Sequence, residues 1–74
     1  MHKLPRLSGR ECIGVLKQMG FVVARQKGSH VILRCGERGC VVPMHREIRT
    51  GTLVGLLRQG KTDPQDFIDI YYGR

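Results

Sequence analysis

The period of the hydrophobic positions changes along the chain, and each change marks an element. Ser8 followed by Glu11 has the form of a capping box, in which the serine hydroxyl accepts from the N–H three residues on and the carboxylate accepts from the serine N–H. A helix is expected to start there. Cys12, Val15, Leu16 and Met19 recur at helical spacing with Ile13 widening the stripe, opposite Arg10, Gly14, Lys17 and Gln18. Gly20 then stands where a helix-ending glycine belongs.

From Phe21 the pattern turns to strand formers. Phe21–Gln26 reads as one strand, Lys27-Gly28 as a short turn, and Ser29–Cys35 as a second strand. Alternation puts His30, Ile32 and Arg34 on one face and Val31, Leu33 and Cys35 on the other. After a turn over Gly36–Gly39, Cys40-Val41-Val42 makes a third strand that Pro43 ends or confines to an edge. Helical spacing returns at Leu53, Leu56 and Leu57, with Thr50 or Thr52 as the expected cap and Gly60 as the stop. Asp63-Pro64 offers an N-cap and a first-turn proline for a last helix with Phe67, Ile70 and Tyr71 on one face. The expected fold is α+β, in the order α-β-β-β-α-α, a three-stranded antiparallel sheet with the helices packed on one face.

Size and composition narrow this further. The 74 residues leave room for one domain, expected to span the whole of 1–74, with no separate cofactor-binding unit. Hydrophobic residues at 41% are too many for a disordered tail. The longest apolar run, Phe21–Ala24, is far too short to span a membrane, and no apolar signal segment follows Met1, so a cytoplasmic protein is expected. Three cysteines, Cys12, Cys35 and Cys40, are an odd number and point to free thiols. Cys35 and Cys40 near His30 or His45 lack the paired short spacings of zinc sites, so two small strand-end hydrophobes are the better reading and no metal or other cofactor is expected.

Charge is the more telling quantity. The net charge is +7, and it is uneven: residues 1–62 carry twelve basic and three acidic side chains, whereas residues 63–74 carry one and three. Such a domain attracts polyanions, nucleic acid foremost, although charge of this kind also serves solubility alone. Three of the four aromatics, Phe67, Tyr71 and Tyr72, lie in the acidic tail, which favours backbone-directed binding over base stacking.

The histidines are not equivalent. His2 reads as a solvated bystander. His30 stands at the start of a basic strand, where it can exchange a proton near neutral pH while Arg25, Lys27 and Arg34 hold a phosphate. RNA cleavage without metal needs that set of functions: a proton taken from the 2′-OH, stabilised phosphoryl oxygens and a proton given to the leaving 5′-oxygen. From spacing alone the plainer reading comes first, with His30 an ordinary strand residue whose hydrogen bond is satisfied. His45, in Pro43-Met44-His45-Arg46, is either a second proton-transfer group or a loop residue bonded near the second helix. No nucleophile triad, phosphate loop or dinucleotide fingerprint is present.

The strings Leu4–Arg34, Val41–Ile48 (VVPMHREI) and Gly51–Gln59 (GTLVGLLRQ) together resemble the HicA (YcfA-like) toxin family, with Gln26-Lys27-Gly28-Ser29-His30 as the most specific piece. The resemblance runs from about Leu4 to Phe67. It implies a fold like that of double-stranded-RNA-binding domains and the activity of an mRNA interferase, a toxin that cleaves messenger RNA and is neutralised by a HicB-like antitoxin covering its histidine. That histidine corresponds to His30, with Arg25, Lys27, Gly28, Ser29, Arg34 and His45 as candidate RNA-binding residues. One departure is visible: where members carry an apolar stretch of the type Ala-Gly-Ile-Ser, this chain has Gly60-Lys61-Thr62-Asp63, which is expected to loosen the last helix. Two alternatives stand beside the toxin reading, a non-catalytic RNA-binding module and a small protein whose charge serves only an acidic partner.

Overall fold

A computed structural model of the chain describes residues 3–73; His2 lies outside them. The elements run α1 (Gly9–Gln18), β1 (Val22–Lys27), β2 (His30–Cys35), β3 (Arg38–Pro43), α2 (Thr50–Gln59) and α3 (Pro64–Tyr71). The strands form one antiparallel sheet in the order β1-β2-β3, so the architecture is the α+β meander with flanking helices that the pattern predicts.

Local chemistry explains most boundaries. At the start of α1 the Ser8 N–H donates to Glu11 Oε1 at 2.8 Å and the Glu11 N–H to Ser8 Oγ at 3.0 Å, the reciprocal capping box. Gly20, at φ +99°, takes the left-handed turn after the helix that a side chain would resist. Both hairpin turns are two residues long and shorter or shifted relative to expectation. Gly28 (φ 61°) and Gly36 (φ 63°) each hold the first central position, followed by Ser29 and Glu37 at ordinary φ, the pattern of a type II′ turn. Because glycine must take that first position, Lys27 belongs to β1 and pairs with His30, and β3 begins at Arg38, opposite Cys35, instead of at Cys40.

The helical half departs from expectation in two places. The N-cap of α2 is Arg49, without a side-chain cap bond, and neither Thr50 nor Thr52 fills that role. The buried Ile48 sets this position: its N–H donates to the Leu7 carbonyl at 2.8 Å, so the chain enters the helix before Thr50. In α3, capped by Asp63 as expected, Phe67 and Ile68 are buried and Ile70 and Tyr71 only partly so. The helix docks chiefly on α1. The expected loosening is not seen: Thr62 is itself buried, its hydroxyl donating to the Gly60 carbonyl at 3.4 Å, and Phe67 is fully enclosed.

One core holds these parts together. Cys12, Val15 and Leu16 of α1 and Leu53, Leu56 and Leu57 of α2 meet Val31 and Leu33 of β2 and Cys40 and Val42 of β3. α1 and α2 make their main sheet contacts with β3, and every residue of β1 stays exposed. Two junctions lock the helices to the sheet. A Cβ on Gly9 would collide with the Pro43 carbonyl and lie 2.9 Å from Met44 Cα, so only glycine lets α1 start this close to the end of β3. At the other end of α2, a Cβ on Gly60 would come within 3.2 Å of the Phe21 ring, and the left-handed residue that follows is Lys61, at φ 52°. The bonds from the Lys61 N–H to the Arg58 carbonyl (3.0 Å) and the Thr62 N–H to the Leu57 carbonyl (2.8 Å) complete a Schellman motif.

Candidate functional site

The helices cover one face of the sheet and leave the other open. In β2 the burial alternates as expected, with Val31 and Leu33 under the helices and His30 and Arg34 exposed on the open face, where Ile32 is half-buried. Directly paired residues of antiparallel strands share a face, so the register assigns the rest. Lys27, His30 and Pro43, the last of them buried, form one row of this face; Arg25, Ile32 and Val41 form the next; Val22, Arg34 and Gly39 form the third.

This arrangement depends on an irregularity in β1. The register shifts between Val23 and Arg25, leaving Ala24 as the extra residue of a β-bulge. In a regular strand, alternation from Val22 would turn Arg25 and Lys27 toward the helices and Gln26 outward. The bulge reverses the faces of residues 25–27, and Arg25 and Lys27 join His30. None of Arg25, Lys27 and Arg34 has an acidic partner among the described residues, so their charge is available to a ligand.

The ends of the strands are tied down by the backbone. The Met44 N–H donates to the Ser29 carbonyl at 2.7 Å, and the Gly9 N–H donates to the His45 carbonyl at 2.9 Å. These two bonds hold the turn before His30, the loop carrying His45 and the N-terminus of α1 at one end of the molecule. Gln26 Nε2 donates to the Gly28 carbonyl at 3.1 Å, bracing the same turn. Gly28, Ser29 and His45 are exposed there. The structure thus gathers Lys27, Gly28, Ser29, His30 and His45 at this end and spreads Arg25 and Arg34 along the open face. No described side chain hydrogen-bonds the His30 ring.

Other reactive groups lie elsewhere. All three cysteines are free thiols. Burial pushes the Cys12 thiol up to about 12, with Cys40 close by adding to the effect, and burial pushes Cys40 up to about 11. Both stay protonated near neutral pH and serve as core residues. Among the described residues no group of three His, Cys, Asp or Glu side chains is placed to hold a metal ion. Arg38 is a structural cation that periodicity does not single out: it stacks 5.4 Å from the Phe21 ring centroid and donates to the Lys61 carbonyl (3.3 Å) and Cys35 Sγ (3.2 Å). Its position opposite Cys35 follows from the two-residue turn.

Two hollows on the described surface are lined by residues other than His30. One lies between β3 and α2, lined by Val41, Thr52, Gly55, Leu56, Arg58 and Gln59. The other, near the second hairpin turn, includes Arg34, Arg38, Lys61 and Gln59. His30 stands exposed on the open sheet face, outside both of these hollows, in a small α+β protein.

Comparison with known families narrows the class to one. The family model described as the HicA toxin of bacterial toxin-antitoxin matches residues 9–61, well over half of the chain, and the chain belongs to that family. The matched stretch runs from the start of α1 through α2 and leaves α3 outside it. No curated protein matches the chain. Among the described residues no helix is long and apolar enough to cross a membrane.

Proposed function

We propose that this HicA-family toxin is an endoribonuclease that cleaves messenger RNA without a metal ion, with His30 as the proton-transfer residue, and that a HicB-like antitoxin restrains it by covering the same face. The observation that carries the reading is the row Lys27–His30 on the open face. An exposed imidazole is paired directly with an unneutralised ammonium, and the bulge brings Arg25 into the adjacent row.

The chemistry follows from that row. An RNA backbone laid across the face presents its phosphate to Lys27, Arg25 and, farther along, Arg34. These cations stabilise the charge that builds on the phosphoryl oxygens. Neutral His30 takes the proton of the ribose 2′-OH as its oxygen attacks the adjacent phosphorus. The P–O5′ bond breaks, leaving a 2′,3′-cyclic phosphate and a 5′-oxygen that must be protonated. His45, at the same end of the molecule, or His30 in its protonated form supplies that proton. The amide and hydroxyl of the exposed Gly28-Ser29 turn offer neutral donors to the flanking phosphate.

Substituting His30→Ala tests this. The side chain is exposed and forms no hydrogen bond to a described residue, so the fold is expected to persist while cleavage falls by roughly 10²–10⁴-fold. Cleavage by the wild-type chain is expected to continue in excess EDTA. A folded His30→Ala protein that cuts RNA at the wild-type rate refutes the catalytic role, and activity restored only by Mg²⁺ refutes the mechanism. A second reading, a non-catalytic RNA-binding module, draws on one observation: among the described residues no group hydrogen-bonds the His30 ring, as a carboxylate or carbonyl commonly does for a catalytic histidine. That reading requires RNA binding without product in the wild-type protein.

A further inference from the structure

An edge strand presents a row of main-chain N–H and C=O groups to whatever can pair with them. This sheet has two edges, and they are treated differently. Along β3 the outward row is closed. The Val41 N–H points away from β2 and donates to Gln59 Oε1 at 3.2 Å, Pro43 two residues on has no N–H, and α2 packs beside the strand. Along β1 the outward row is open. All six residues are exposed, and among the described residues no loop or side chain hydrogen-bonds its outer side. Val22 and Val23, on opposite faces of the strand, are 63% and 45% exposed, the two most exposed large aliphatic side chains described.

We propose that the outer edge of β1 is a docking edge that takes an extended, acidic segment of a partner protein as a fourth strand of the sheet. Charge selects the occupant. β1 carries Arg25 and Lys27 and no acidic residue, and Arg34 sits beside Val22 on the neighbouring strand. A second copy of the chain, itself at +7, would put four cations into one two-stranded ribbon, which like-charge repulsion disfavours. A strand with acidic residues facing Arg25 and Lys27, alternating with β-branched residues against Val23, meets each requirement of this edge. The main-chain bonds supply affinity and the alternating side chains supply selectivity. Docked there, the segment lies about 10 Å from β2, two strand spacings away, beside the row that holds His30. The inference goes beyond the proposed function and holds whether or not His30 transfers a proton.

The test uses the whole chain, labelled with ¹⁵N, and a capped seven-residue peptide alternating Glu with Val as the probe. At millimolar peptide the amides of residues 22–27 are expected to shift and to exchange with solvent at least about tenfold more slowly. The same peptide carrying N-methyl groups on its pairing side, and a peptide with Lys in place of Glu, are expected to lose the effect. The proposal is overturned if the Glu-Val peptide leaves those amides unprotected, or if the N-methylated peptide protects them equally, which would mean attraction by charge alone. It is also overturned if a single-stranded RNA oligonucleotide protects the β1 amides and the peptide does not, which would make the edge a nucleic-acid surface.

Discussion

β1 and β3 are both edge strands of one sheet, six residues each, and both pair with β2, yet they share little else. On β3 the helix-facing residues Cys40 and Val42 are buried beneath α1 and α2, and the outward Val41 N–H is capped by Gln59. On β1 the helix-facing residues Val23 and Gln26 remain exposed, and the main helix contacts fall on β3 instead. The difference separates two tasks. The β3 side supplies the burial that a chain of this size needs, since a domain near 60 residues hides only about 60% of its unfolded surface. The β1 side, released from packing, is free to carry a bulge, two cations and an open edge, features that cost stability when placed inside a core.

Matched substitutions test that division most strongly. Val42→Ala removes two methyl groups from a fully buried site and is expected to cost about 2–3 kcal/mol. Val22→Ala, the same chemical change on the opposite edge at 63% exposure, is expected to alter stability by no more than about 0.5 kcal/mol. Urea denaturation of the two variants measures both. Equal losses would show that the β1 edge is packed in solution.

Alkaline pH offers a second way to break the comparison, because the shifted thiols both lie on the packed side. The folded-state pKa values of Cys12 and Cys40, about 12 and about 11, stand above the ordinary thiol value of 9.0. Between pH 9 and 11 the unfolded chain therefore releases thiol protons that the folded chain keeps, and stability falls as pH rises through that window. Below it, the contribution is flat. With each group worth up to about 1.4 kcal/mol per pH unit, a loss of up to about 3 kcal/mol by pH 10 is expected. Denaturation midpoints from pH 7 to 10, for the wild type and for Cys12→Ala, check it: the variant's curve should be the shallower.

The smallest effect belongs to Gln59→Ala, which uncaps the Val41 N–H without touching the core. A loss of about 1 kcal/mol is expected, together with faster hydrogen exchange at Val41, making the β3 edge more like that of β1. An unchanged exchange rate at Val41 would show that another group shields that edge.

Much of the architecture was legible in local pattern. The Ser8–Glu11 box, Gly20 after α1, the alternation of β2 and the Asp63-Pro64 start of α3 each depend on residues within a few positions of one another, and each stands where the pattern puts it. The misplaced boundaries share a different cause. Arg49 caps α2 because Ile48 is pinned to Leu7, and α3 takes its seat on α1, both contacts between segments distant in the chain. The turn frames were legible in principle, since glycine at the first central position marks a two-residue type II′ hairpin.

The candidate site divides along the same line. His30, Arg34 and the turn before them, with the basic balance of residues 1–62, were visible in the sequence because β2 alternates regularly and charge needs no fold to be counted. That Arg25 and Lys27 share the face of His30 was decided by the register of β1 against β2. Nothing in Val22–Lys27 by itself marks Ala24 as the extra residue, since a bulge is defined by the partner strand that fails to match it. The pairing of Ser29 with Met44 and of His45 with Gly9 likewise required the chain to close on itself. Composition and short-range periodicity determine which side chains are present and which elements they form; only pairing between distant segments decides which of them stand side by side.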